Sequence, residues 1–272
     1  MRPPVVRLAR TYWRADGASP GERAIADEIA VALSYDGSTQ AVMMATPSDL
    51  EDFAIGFTLT EGIVAARSEI ERFEIVEQEI GVELRMSLAT ARARALEQRR
   101  RHMAGPTGCG LCGIESLTEA MRPVPPVGRT ARFSRADIRR ALDSLAPLQL
   151  LNRETYSMHA AGFAQPGENV AILREDVGRH NALDKLCGAL ARRDIDGATG
   201  MVLLTSRVSV EMVQKAAMIG APLIVAVSAP TALAVRTADA AGITLVAIAR
   251  GDGFEVFTHP QRIAEEAAAH VV

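Results

Sequence analysis

Two cysteines three positions apart are the residues best equipped for chemistry. They stand in Gly105-Pro-Thr-Gly-Cys109-Gly-Leu-Cys112-Gly113. Glycines at 105, 108, 110 and 113 open backbone shapes closed to other residues and leave both sulfurs uncrowded. Such a segment makes poor core, because glycine buries no side chain, but it suits a loop that presents a thiol. Just upstream lie Arg92, Arg94, Arg99, Arg100, Arg101 and His102. Read alone they describe a solvated helix face; beside the pair, they favour the nucleophilic thiolate. Three chemistries compete. A zinc site needs about four ligands, and no second pair exists, although Cys187, His102, His159 and His180 could contribute, or a dimer could pool two pairs. A thioredoxin-like dithiol follows a strand and opens a helix, whereas a helix-compatible segment precedes this pair. A sulfur carrier would hold sulfane sulfur on one cysteine, and the other would attack it, expel sulfide and close a disulfide.

A second constellation is Arg174-Glu-Asp-Val-Gly-Arg-His-Asn181, which packs six polar side chains into eight residues at a strand-to-helix junction. His159, in a small apolar segment, reads more readily as a hydrogen-bonded core residue than as a ligand. Ser206-Arg207 follows an apolar strand and could hold an anion. Arg250-Gly-Asp-Gly253 follows another, and a glycine-containing loop there can offer N–H groups to phosphate. The zinc-deaminase signature H-x-E with P-C-x-x-C is absent: Ala-Ala follows His159, and Gly108 precedes Cys109.

These groups need elements to position them. In the first half, Ile29–Tyr35 and Gln40–Ala45 read as strands around an Asp36-Gly37 turn. Ser48 to Glu51 reads as a capping box opening a helix that carries Leu50, Phe53, Ala54 and Phe57 and stops at Gly62. Val82, Leu84, Met86 and Leu88 alternate as in a half-buried strand. Residues 91–103 are helix-compatible and basic. Residues 122–130, RPVPPVGRT, read as a linker or crossing segment. They divide an N-terminal α+β part (1–121) that ends in the cysteine loop from a C-terminal α/β domain (131–272). In the second half Ser134 opens a helix with Ile138, Leu142 and Leu145. Strands are predicted at Asn169–Leu173, Met201–Thr205, Pro222–Ser228 and Ile243–Ala249, with a last at Phe254–Phe257. Helices are predicted at Arg179–Arg193, up to Ile219, and at Thr231–Ala241. Continuous apolar strands separated by helices predict a mostly parallel sheet covered on both faces, with ligands in loops beyond its C-terminal strand ends.

Composition narrows the classes. The 272 residues carry 30 Lys and Arg against 33 Asp and Glu, a net charge of −3. No global field argues for nucleic acid or membrane. Hydrophobic residues at 48% and charged residues at 23% exclude a disordered chain. Apolar runs such as Pro222–Val227 are far below the roughly 20 residues of a membrane helix. The first 13 residues, with arginines at 2, 7 and 10, lack the apolar core of a secretory signal. Three cysteines make a disulfide framework a poor reading and a cytosolic reactive pair a better one.

Five segments together carry a resemblance: 42–63 (VMMATPSDLEDFAIGFTLTEGI), 108–117 (GCGLCGIESL), 174–188 (REDVGRHNALDKLCG), 206–222 (SRVSVEMVQKAAMIGAP) and 228–262. In these the chain resembles the FdhD family, the formate dehydrogenase accessory sulfurtransferases, from about residue 22 to 263. The resemblance implies a cytoplasmic protein, in many members a homodimer, that receives sulfur from a cysteine desulfurase. It implies delivery of that sulfur to the molybdenum of the bis-molybdopterin guanine dinucleotide cofactor, before the cofactor enters formate dehydrogenase. It implies a fold similar to cytidine deaminases, a three-layer sandwich without zinc chemistry. Residue by residue, Cys109 matches the persulfide carrier and Cys112 its companion. Ile248, Ala249, Arg250, Gly251, Asp252 and Gly253 match the cofactor-binding stretch, and a guanine nucleotide would mimic part of that cofactor. Thr155 to Met158 before His159, and the GDG pattern in the cofactor stretch, depart from the family's usual residues. A second function class stays open: a non-catalytic cofactor chaperone or insertion factor whose cysteines bind zinc or sense redox state.

Overall fold

Alternation builds the first layer. In β3 (Ile29–Tyr35) Val31, Leu33 and Tyr35 are buried, and in β6 (Gly81–Leu88) Val82, Leu84, Met86 and Leu88 are. With β4 (Ser38–Ala45) and β5 (Ile70–Gln78) they form a sheet in the order β4-β3-β6-β5, parallel only between β3 and β6. The computed structural model describes residues 2–93, 123–128, 131–251 and 253–264. Cys109, Cys112, Asp252 and positions 94–103 of the basic segment lie outside the described residues.

Helix α1 (Leu50–Thr60) covers the apolar face of this sheet through Leu50, Phe53, Ala54 and Phe57. The capping box expected at Ser48 does not form. Asp49 takes the N-cap in the left-handed region (φ 51°) with no side-chain cap. A tertiary partner has won: Glu51 pairs with Arg192 at 2.8 Å instead of turning back on its own helix. Gly62, at φ 66°, follows the helix end as expected.

The second sheet has the order β13-β12-β11-β10-β8-β9. It comprises β8 (His159–Ala164), β9 (Ile172–Asp176), β10 (Met201–Leu204), β11 (Leu223–Ala226), β12 (Thr244–Arg250) and β13 (Gly253–Val256). The expectation of a mostly parallel sheet is corrected here. Only β10–β11 and β11–β12 are parallel; β10–β8, β8–β9 and β12–β13 are antiparallel. The sheet is mixed because a hairpin, β8–β9, occupies one flank and β12 folds straight back into β13. The strand expected at Asn169–Leu173 begins only at Ile172.

Helices lie on both faces of this sheet. Val202 and Leu204 point toward α4 (Arg179–Ala191), α5 (Val210–Met218) and α6 (Ala232–Ala241). Met201 and Leu203 point toward α2 (Arg135–Leu148), whose Ser134–Asp137 capping box forms as expected. Val127 in the proline-rich segment is buried in the first of these cores, and its N–H donates to Ala241 O at 2.8 Å. A short α3 (Leu150–Thr155) precedes β8, and β7 (Phe133–Ser134) pairs with β14 (Ile263–Ala264). An unpredicted ribbon, β1 (Val5–Arg14) with β2 (Gly17–Ala26), opens the chain.

The two sheets share one stack because α1 crosses α4 backbone to backbone. A Cβ on Gly56 would collide with the Asp184 carbonyl, and one on Gly188 with the Asp52 carbonyl. Buried polar pairs line this crossing. Asp52 accepts from Arg174 at 2.7 Å and Arg192 at 2.8 Å. Thr60 Oγ1 donates to Asp184 at 2.6 Å, and Lys215 Nζ donates to Asp184 and Glu61, both at 2.9 Å. Removing one member of such a group leaves a buried charge without its partner. Gly56→Ala is expected to lower stability by about 3 kcal/mol or more, because backbone cannot yield as a side-chain tip can. Gly21→Ala, with nothing within 4 Å of its added Cβ, serves as control. Thermal melts check this; equal midpoints for the two variants would refute a contact-limited crossing.

Candidate functional site

The C-terminal ends of β10, β11 and β12 open into three loops that are tied backbone to backbone. Val208 N donates to Ala229 O (3.3 Å) and Thr231 N to Val208 O (2.9 Å). Ile248 N donates to Ser228 O (3.3 Å), and the Arg250 side chain closes the set, with Nε donating to Val227 O at 3.0 Å. β8 runs antiparallel to β10, so its first residue, His159, lies at this same end, opposite Asp176 in register. The start of α4 follows β9 there. Thus the topology brings His159, Arg179, His180, Ser206, Arg207, Ser228, residues 248–251 and Gly253 to one end of one sheet.

Residues 248–251 are shaped by a break in pairing. Register shifts between Ala247 and Arg250. Ile248 takes φ 52°, a conformation costing a β-branched residue roughly 1–3 kcal/mol. The kink leaves Ile248 exposed, turns Ala249 into the core, and sets Arg250 at the surface. Gly251 turns the chain at φ 56° with open space where a side chain would be. Gly253 then pairs with Arg250. Strain held at a surface loop by rigid strands is a mark of a binding site.

The eight-residue cluster 174–181 divides in two. Arg174 is spent on Asp52, and Glu175 accepts from Leu151 N and Asn152 N, both at 2.8 Å. Asp176 is completely buried, 2.7 Å from Lys185 Nζ, and also accepts from Thr46 N, Gly178 N and Asn181 Nδ2. These four residues hold the junction together. Arg179 and His180 are different: their Nε and Nε2 atoms are buried without a hydrogen-bond partner. Burial, aided by the Arg179 charge, pulls the His180 pKa down to about 4, against the pull of Glu211, whose Oε2 lies 4.0 Å from Nε2. Burial and then Arg179 also push His159 below its ordinary value. Both imidazoles are therefore neutral at pH 7, and the charge of this sheet end comes from its arginines and from Glu211. Sequence reasoning missed Glu211 and Thr46; nothing local marked either, since each acts across the fold.

Cys187 is fully buried in the core between α4 and the sheet. Burial pushes its thiol far up, so it stays protonated and inert. It cannot join the zinc set considered above without unfolding α4. No group of three His, Cys, Asp or Glu side chains placed to hold a metal occurs among the described residues. No helix among them is long and apolar enough to cross a membrane.

Residues 26–264 match the model of the FdhD/NarQ family. The chain is 55% identical over 258 residues to the sulfur carrier protein FdhD of Agrobacterium fabrum, covering 94% of this chain and 95% of that one. It is 48% identical to the protein of the same name from Cupriavidus necator, covering 96% and 91%. Among solved structures it superposes on one assigned as a formate dehydrogenase accessory protein from Desulfotalea psychrophila. The TM-score is 0.78 at 25% identity, over 96% of this chain and all of that one. With residues 26–264 matched by the family model and nearly the whole length covered by these relatives, this chain belongs to the FdhD/NarQ family.

Proposed function

We propose that this protein is a sulfurtransferase that carries sulfur as a persulfide on Cys109 and delivers it to molybdenum. The acceptor is the bis-molybdopterin guanine dinucleotide cofactor destined for formate dehydrogenase, and the donor is a cysteine desulfurase. The setting is the cytoplasm, and the working unit is a homodimer with the layering of a cytidine deaminase. The observation that carries this reading is the end of the second sheet. There a strained Ile248, an arginine held against Val227 and an open glycine turn form an exposed loop, in a chain whose relatives are named sulfur carriers.

The chemistry balances with two thiols. The Cys109 thiolate takes sulfane sulfur from the donor's persulfide. The Cys112 thiolate then attacks the inner sulfur of Cys109–S–SH, forming a Cys109–Cys112 disulfide and releasing hydrosulfide. The outer sulfur gains the two electrons that the two cysteine sulfurs lose, and a dithiol reductant restores the pair. Arg250, Gly251 and Gly253 would hold the cofactor's guanine nucleotide arm, the arginine by a charge-assisted bond to phosphate. The metal itself is cargo.

Loading is checked by intact mass after incubation with a cysteine desulfurase and cysteine. The wild type gains about 32 Da per sulfur. Cys109→Ala gains none that it can pass on, while Cys112→Ala loads but turns over slowly. Equal loading and equal residual cofactor sulfuration by both variants would mean interchangeable carriers. No loading of the wild type would favour the chaperone reading.

Nucleotide binding is checked by calorimetry. GDP binds the wild type, and Arg250→Ala weakens it by roughly tenfold or more, the worth of one charge-assisted hydrogen bond. Unchanged affinity in the variant would remove Arg250 from the site.

A further inference from the structure

The β1–β2 ribbon meets the body where β2 packs against α3 and is exposed along most of its length. Its ten-residue strands reach about 34 Å at 3.4 Å per residue. From Arg7 to Arg23 every residue is exposed, and Trp13 near the tip is 75% exposed. Two strands alone are at best marginally stable in water. One face carries Leu8, Arg10, Tyr12 and Arg14, with Arg23 and Ile25 across from them. Arg10 and Arg14 each lie 4.7 Å from the centroid of the Tyr12 ring, which they flank. Arg23 lies over Tyr156, which sits at the end of α3 in the left-handed region and is 76% exposed. Arginine and aromatic side chains are the residues that dominate interface hot spots.

The opposite charge is elsewhere on the same chain. β5 is the edge of the first sheet, with no strand beyond it among the described residues. Its exposed residues include Glu71, Glu74 and Glu77, and Glu79 follows. Ile75 and Ile80 are exposed between and after them. An open edge also presents unpaired N–H and C=O groups. Residues 70–80 hold four glutamates against Arg72, whereas residues 5–26 hold four arginines against Asp16 and Glu22.

We propose that the β1–β2 ribbon is a dimerisation arm whose arginine–tyrosine face docks on the acidic β5 edge of a second copy of this chain. Ribbon against ribbon would oppose like charges, and so would β5 against β5. Ribbon against β5 is complementary, and a two-fold axis makes the contact twice. A footprint about 34 Å long and about 10 Å wide, counted on both partners and twice, reaches about 1,400 Å², within the range of stable interfaces. The proposal rests on the two-copy reading of the preceding subsection and assigns its interface.

Sedimentation velocity on the full chain tests it. The wild type is a dimer at micromolar concentration and dissociates as salt rises. Arg10→Glu/Arg14→Glu/Arg23→Glu weakens dimerisation by about 100-fold or more, and so does Glu71→Arg/Glu74→Arg/Glu79→Arg. An equimolar mixture of the two variants restores a dimer, because both contacts then pair opposite charges. The chain carrying all six changes dimerises by itself. Far-ultraviolet circular dichroism of the variants matches the wild type, since no residue changed is buried; their melting points fall only as far as loss of the dimer lowers them. A monomeric wild type removes the two-copy reading and the arm with it. A dimer indifferent to both reversals, or variants that fail to rescue each other, keeps two copies and overturns the arm.

Discussion

Two glycines facing each other across a helix crossing govern the architecture. Gly56 on α1 and Gly188 on α4 let the helices meet without side chains between them. That closeness brings Asp52 within reach of Arg174 and Arg192, and Thr60 within reach of Asp184. It also seats the end of β4 against the start of α4, where Thr46 bonds Asp176, Val177 and Lys185. The start of α4 is where Arg179 and His180 enter the sheet end. A contact far from the candidate site therefore sets the site's shape: any residue larger than glycine at the crossing moves α4, and with it the only two members of the 174–181 cluster that are not spent on structure.

The site works by separating duties. Buried, paired groups such as Asp176 with Lys185 stiffen the junction and do no chemistry. The open end keeps arginines at the surface, two imidazoles held neutral, and a loop whose strain is paid by the strands beneath it. That arrangement is what the anionic guest proposed above would meet.

Legibility in the sequence followed burial. β6, β10 and β11 declared themselves because a buried face writes a period or an apolar run. The β1–β2 ribbon wrote neither: both its faces meet solvent, and β2 contains Pro20 and Gly21. β8 was silent because HAAGFA is short and its small residues are buried on both sides, which hid the hairpin and so made the sheet look parallel. At the site, the glycine-flanked cysteines and the strand-end loops were readable because local spacing carries them. The division of 174–181 into structural and open members was not, because the partners that decide it, Asp52 and Thr46, lie 122 and 130 positions away.

The central claim is that the cofactor's nucleotide arm sits beyond the C-terminal ends of β10, β11 and β12. Hydrogen exchange with and without GDP tests this most directly. The account predicts slowed exchange in residues 205–209, 227–231 and 247–251 and at the start of α4, with residues 7–23 unchanged. Protection confined to other segments, or none at saturating GDP, would contradict it.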